Sequence, residues 1–294
     1  MSRTAIVTLA SLAWAAAAIG SAGRAPAALA APSPSPPVAS PSPASNAPSD
    51  PCGSILSIVN RPTVSTGVCT VRPGHVVLEN GYTNTTTTGA GGGGSSALYP
   101  QSVLRAGTFD PHLDFEFGFP SAQTSSVGQP QVSGSTDISM ATKYELGYSS
   151  SAMWGIYGAV TMPTGSKAFT AGNAQFTGDL DGAYTINSEF SFAGTLSFNA
   201  LSAANAAGLP QSYFAFIPSL ELSAALPGGP SQLSAEYAYF SASGPALPSK
   251  SLIDFVYQRD FGGHVQFDVE YGFSPTLING QKQHYLGAGL SFMN

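Results

Sequence analysis

The sequence predicts an all-β chain closed into a membrane-spanning antiparallel barrel of about twelve strands, arranged as an up-and-down meander. Three observations predict it. Apolar and polar residues alternate strictly over many segments of the 294-residue chain. The chain carries few charges for its size, 9% Asp, Glu, Lys and Arg, where a water-soluble domain has roughly 25%. The connections between the alternating segments are short and long by turns, the asymmetry of an outer-membrane barrel with tight periplasmic turns and longer outside loops.

At the amino terminus, residues 1–30 have the form of a secretory signal peptide. Arg3 precedes an apolar run over 5–18, and the small residues Ala28-Leu29-Ala30 supply a cleavage site. Residues 31–51 hold eight of the 23 prolines among Ser and Ala, the composition of an extended, semi-rigid tether. Cys52 and Cys69 are the only cysteines. An exported chain meets an oxidising compartment, so they are expected to form a disulfide that staples a segment over 52–74. That segment carries the apolar residues Ile55, Leu56, Ile58 and Val59, then Arg61-Pro62. It is expected to be turn-rich with one short helix, either as a plug in the barrel mouth or as a separate periplasmic element.

From 75 to 294 the period-two signal dominates. Ile138, Met140, Thr142, Tyr144, Leu146 and Tyr148 share one face and Ser139, Ala141, Lys143, Glu145 and Gly147 the other. The segments 112–119 and 263–273 repeat the pattern, with Phe115 and Phe117 opposite Asp114 and Glu116, and Phe267 and Val269 opposite Asp268 and Glu270. A helix would scatter these residues around its circumference. Twelve strands are expected near 75–83, 98–108, 112–119, 136–148, 152–162, 174–186, 188–199, 212–225, 231–241, 250–260, 263–273 and 283–292. Most are long enough to cross a bilayer at a tilt. Long loops are expected over 83–96, 120–134, 163–173, 201–211, 242–249 and 274–282, and the alternation returns both ends of the barrel to the periplasm.

Closure follows from the solvent. Hydrocarbon offers no partner to an edge N–H, so a sheet in lipid must close on itself, with its apolar face outward. A secreted β-sandwich would leave its polar face in water with very few charges. The last strand, Tyr285 to Phe292, resembles the terminal strand of outer-membrane proteins, although Met293 and Asn294 follow its aromatic residue.

Alternation assigns a set of candidate lumen-lining residues. These are Glu79, Asp114, Glu116, Glu145, Asp179, Asp181, Glu189, Glu221, Glu236, Asp254, Asp268 and Glu270, joined by the bases Arg105 and Lys143, with Arg61 a further candidate partner. Carboxylates are expensive against lipid and are accommodated when hydrated or paired. An acidic lumen would favour cations and neutral polar solutes over anions. Twelve strands lie between an eight-stranded barrel filled by side chains and a wide porin, which implies a narrow or gated path.

No catalytic motif, cofactor site or metal site is found. His75, His112, His264 and His284 form no ligand spacing, and no nucleophile elbow is present. With 10 Lys and Arg against 16 Asp and Glu, a nucleic-acid partner is excluded. The partners implied are outer-membrane lipid, the barrel-assembly machinery and a small-molecule solute.

A strand opening at Gly134-Ser-Thr-Asp137 leads to Lys143-Tyr144, and the following strand ends in Pro163-Thr164-Gly165. This sequence of motifs resembles the MetA-type transporters of phenol-degradation pathways, a bacterial outer-membrane family. The general strand and loop layout from about 75 onward is also similar. The resemblance implies a barrel that passes small, often aromatic or hydrophobic compounds. The tether and the Cys52–Cys69 element lie outside it. A structural or adhesive barrel without transport, and a secreted soluble β-protein, are the competing expectations.

Overall fold

The structure, a computed structural model, describes residues 50–89, 93–126, 130–204, 208–275 and 281–294. The expected signal over 1–30 and all but the last two residues of the expected tether lie outside them.

Among the described residues, those between 76 and 293 form a closed twelve-stranded antiparallel β-barrel. In chain order its strands are β1 (Val76–Thr88), β2 (Gly94–Tyr99 and Val103–Gly107), β3 (Leu113–Gly118 and Ala122–Ser125), β4 (Val132–Ser135 and Ile138–Tyr148), β5 (Ala152–Met162), β6 (Gln175–Thr185), β7 (Phe190–Ala204), β8 (Pro210–Ala225), β9 (Ser231–Phe240), β10 (Lys250–Phe261), β11 (Val265–Ser274) and β12 (Lys282–Met293). Each strand pairs with the next. The barrel closes where β1 meets β12, in a continuous register from Val77 opposite Met293 to Thr88 opposite Lys282. Three strands are interrupted once. Pro100 and Pro120, which lack an N–H, fall in two of the gaps. The ladder still bridges all three, through Gln101 N to Gly81 O, Phe119 N to Ser102 O and Thr136 N to Ser121 O, each 2.9 Å.

All twelve expected strands are present, and several run further than their apolar alternation. β1 continues to Thr88, β7 continues to Ala204, and β3 and β4 gain the segments Ala122–Ser125 and Val132–Ser135. The expected long loops over 83–96 and 120–134 are correspondingly shorter. Past the hydrocarbon both faces of a strand meet water, so the Thr- and Ser-rich extensions lose the alternation while backbone pairing persists.

The faces follow the period of two. Leu78, Leu146, Ile156, Leu180, Leu220 and Leu286 point outward and are exposed on the barrel wall, whereas Glu79, Arg105, Lys143, Asp254 and Gln266 point inward and are buried. Paired aromatics mark both rims of the apolar band, Tyr184 with Phe192 at 5.6 Å near the short turns and Phe198 with Phe216 at 5.2 Å toward the loops. Such girdles sit at the two membrane interfaces. Ile156 stands in the middle of β5 between Tyr144 and Leu180 on the neighbouring strands. Ile156→Arg is therefore expected to lower folding stability in lipid by about 2–4 kcal/mol, read from a denaturant titration in bilayers. A cost near zero would place that face away from hydrocarbon.

Candidate functional site: the plugged lumen

The chain before β1 does not hang outside the barrel. Cys52 and Cys69 are joined, with a Cα–Cα distance of 5.3 Å. The loop they close contributes about 3 kcal/mol in the chain-entropy view. Ser54 caps the one-turn helix α1 (Ile55–Ile58), its Oγ accepting from Leu56 N at 3.2 Å. Ile55, Ile58, Val59, Val68 and Val71 pack with the disulfide, and with Val77 and Met153 of the wall, into a small apolar core inside the lumen at the turn end.

Around that core the segment is bound to the inner wall by polar contacts. Arg105 of β2 is the main anchor. Its guanidinium meets Asp114 at 2.7 Å, Glu116 at 3.0 Å and Glu79 at 3.5 Å, and donates to the carbonyls of Ile58 and of Cys69, the latter at 3.1 Å. Asp114 also accepts from Val71 N at 2.9 Å. Asn60 is a second hub: its Oδ1 accepts from Lys143 Nζ at 2.7 Å, and its Nδ2 donates to Glu116 at 3.4 Å. On the opposite wall Glu236 accepts from Val64 N at 2.7 Å, Ser65 N at 2.6 Å and the Ser65 hydroxyl. Thr66 reaches Thr195 at 2.9 Å and Asp179 at 3.1 Å, and Gln258 donates to Arg61 O at 2.8 Å. At the turn end Arg72 joins Glu145, at 3.2 Å, to Asp50. Burial alone would raise the Asp50 carboxyl, but hydrogen bonds from Arg72 and from Cys52 N hold it below its ordinary value.

Of the residues that alternation places inward, Glu79, Arg105, Asp114, Glu116, Lys143, Glu145, Asp179, Asp181, Glu221, Glu236, Asp254, Asp268 and Glu270 are all buried in the structure. Glu189 is a correction. It is exposed in the turn that joins β6 to β7, because β7 begins at Phe190, two residues later than expected, and Asn187 Oδ1 accepts from the amides of Glu189 and Phe190 at 2.8 Å. A two-residue shift keeps the parity of a strand, so alternation alone could not separate a wall position from a turn position.

The charges are divided unevenly. The acids of β1 to β3 surround Arg105, whereas Glu221, Glu236 and Asp254 stand directly opposite one another across β8, β9 and β10. Tyr285 lies over Gly272 and donates to Asp254 at 2.8 Å. Among the described residues, two cavities in the lumen flank the stapled segment. One of about 610 Å³ lies on the loop side, lined by Thr83, Gln101, Tyr157, Lys250, Glu270 and Tyr285. The other, about 240 Å³, lies on the turn side and is lined by Leu56, Val59, Met153 and Ala193 together with Glu221 and Gln232. Arg61 and Thr63 line both. The stretch 60–66 thus stands between a loop-side chamber of mixed polar and apolar lining and a smaller, more apolar turn-side chamber.

No protein family matches the chain, and no curated protein matches it. Among solved structures, an outer membrane channel from Pseudomonas putida F1 superposes with a TM-score of 0.62 at 14% identity, covering 79% of this chain and 100% of that one. The translocator domain of the autotransporter NalP from Neisseria meningitidis gives 0.50 at 10% identity, covering 74% of this chain and 87% of that one. The shared fold is an outer-membrane β-barrel. At these identities the likeness is one of architecture, and the lumen chemistry must be read from this chain's own residues.

Proposed function

We propose that the chain is an outer-membrane channel that lets small solutes cross passively, with the disulfide-stapled segment over 52–74 as its resident plug. One observation carries this reading: a closed barrel with an apolar exterior holds a chamber on each side of residues 60–66, the larger one on the loop side. An adhesive or structural barrel has no need of a partition with a chamber on each side. The Pseudomonas putida structure, an outer membrane channel by name, supports the same reading. In this scheme residues 1–30 direct export, the barrel-assembly machinery inserts the barrel, and the short turns face the periplasm.

The acid-rich wall favours cationic and neutral polar solutes, because buried carboxylates set a negative potential along a narrow path. Passage of aromatic or hydrophobic compounds rests on the MetA-type resemblance and on the tyrosines Tyr157 and Tyr285 of the loop-side chamber. The refolded barrel in a planar bilayer is expected to give a small conductance whose reversal potential in a salt gradient lies on the cation side. A barrel that inserts but carries neither current nor solute, or that prefers anions, would overturn the proposal.

A further inference from the structure

Arg61 is held by a fitted receptor on the wall rather than by a single ion pair. Its guanidinium lies flat against the seam between β1 and β12, where Gly81 stands directly opposite Gly289. Both glycines face inward. A Cβ at Gly81 would fall on the guanidinium itself, and a Cβ at Gly289 would sit 2.8 Å from Arg61 Nε. The paired glycines therefore leave a flat recess the thickness of a planar group. Its rim consists of acceptors: Gln101 Oε1 at 2.9 Å, Ala288 O at 3.5 Å and Asp268 Oδ1 at 3.8 Å.

The recess is not saturated by Arg61. Asp268 is fully buried, yet neither of its oxygens takes part in a well-formed hydrogen bond. Gln266, two residues earlier on the same inward face, is also fully buried and lies beside Asp268, its amide too poorly aligned to satisfy either carboxylate oxygen. A buried carboxylate beside a flat recess, with Arg61 and Gln266 only loosely placed on it, is the chemistry that recognises a planar cation, which offers several N–H groups in one plane.

We propose that Gly81, Gly289, Gln101 and Asp268 form a receptor for a planar cation. Arg61 fills it as an internal ligand in the plugged state, and the guanidinium or amidinium group of a passing solute fills it when the plug moves aside. The second half rests on the channel reading above. Because Arg61 lines both chambers, its replacement by a solute in the recess removes one of the anchors that hold the partition between them.

The test uses the full barrel refolded in detergent, with methylguanidinium as probe and methylammonium as the non-planar comparison. Arg61→Ala vacates the recess. Calorimetric titration is expected to show saturable methylguanidinium binding to Arg61→Ala, at least ~10-fold tighter than to the unchanged protein and than methylammonium binding. Adding Gly81→Val to Arg61→Ala is expected to abolish that binding, and adding Asp268→Asn to weaken it by ~10-fold or more. No binding to a correctly folded Arg61→Ala barrel, or binding that survives Gly81→Val, overturns the proposal. Should Arg61→Ala not refold, bilayer recordings of the unchanged protein decide. There methylguanidinium is expected to raise the conductance saturably and methylammonium is not, and equal responses overturn the inference. A conducting barrel whose Arg61→Ala form binds nothing sinks this inference alone. Binding without conductance sinks the channel reading alone.

Discussion

Arg105→Met is expected to destabilise the barrel by about 3–5 kcal/mol, the cost of leaving buried charge without its partner. The argument rests on what the guanidinium holds. It is fully buried and ion-paired with Glu79, Asp114 and Glu116, while it also donates to the plug carbonyls of Ile58 and Cys69. Methionine keeps much of the volume and none of the charge, so three carboxylates would face one another beside a dry apolar core. The denaturant midpoint of the refolded protein is the measurement, and Arg105→Lys should recover only part of the loss, because an ammonium cannot span the same set of acceptors. An unchanged midpoint would mean that the cluster is hydrated and that the plug draws nothing from it.

Excising residues 52–72 is expected to raise single-channel conductance several-fold and to deepen the preference for cations. The two expectations have separate causes. Removing the partition joins the chambers of about 610 and 240 Å³ into one path. The excised stretch also contains Arg61 and Arg72 and no acidic residue, so the lumen becomes more negative by two charges. Freed carboxylates such as Glu236 would hydrate, as lumen positions of a wide barrel can. The shortened chain should retain the slower-migrating shift on heating that marks a closed barrel. If it does, and the current stays at the level of the full chain, the constriction lies elsewhere and the segment is not the plug.

Strand number, strand order and the inward acids were legible because each depends on a local period that lipid imposes on one face. Ile138 to Tyr148 shows this most plainly, with Lys143 and Glu145 turned into the lumen and Tyr144 and Leu146 toward lipid. The strand extensions were not legible, since Thr83 to Thr88 pairs through its backbone and carries no apolar signal. Asn60 could not be found either. A single asparagine in a coil has no periodicity, and its partners Lys143 and Glu116 come from two adjacent strands far along the chain from it. The glycine seat for Arg61 depends on the register between the first and last strands, which no local pattern encodes. Glycines were visible in the composition, but the two that meet at the seam were not distinguishable from those in turns.

The place where Arg61 docks has a consequence for biogenesis. Half of its berth belongs to the earliest wall segment to emerge from the ribosome and half to the last, so the berth is absent from every incomplete sheet. Anchoring of the amino-terminal arm is in this sense a receipt for finished insertion: the arginine can settle only once the two ends of the wall have zipped together.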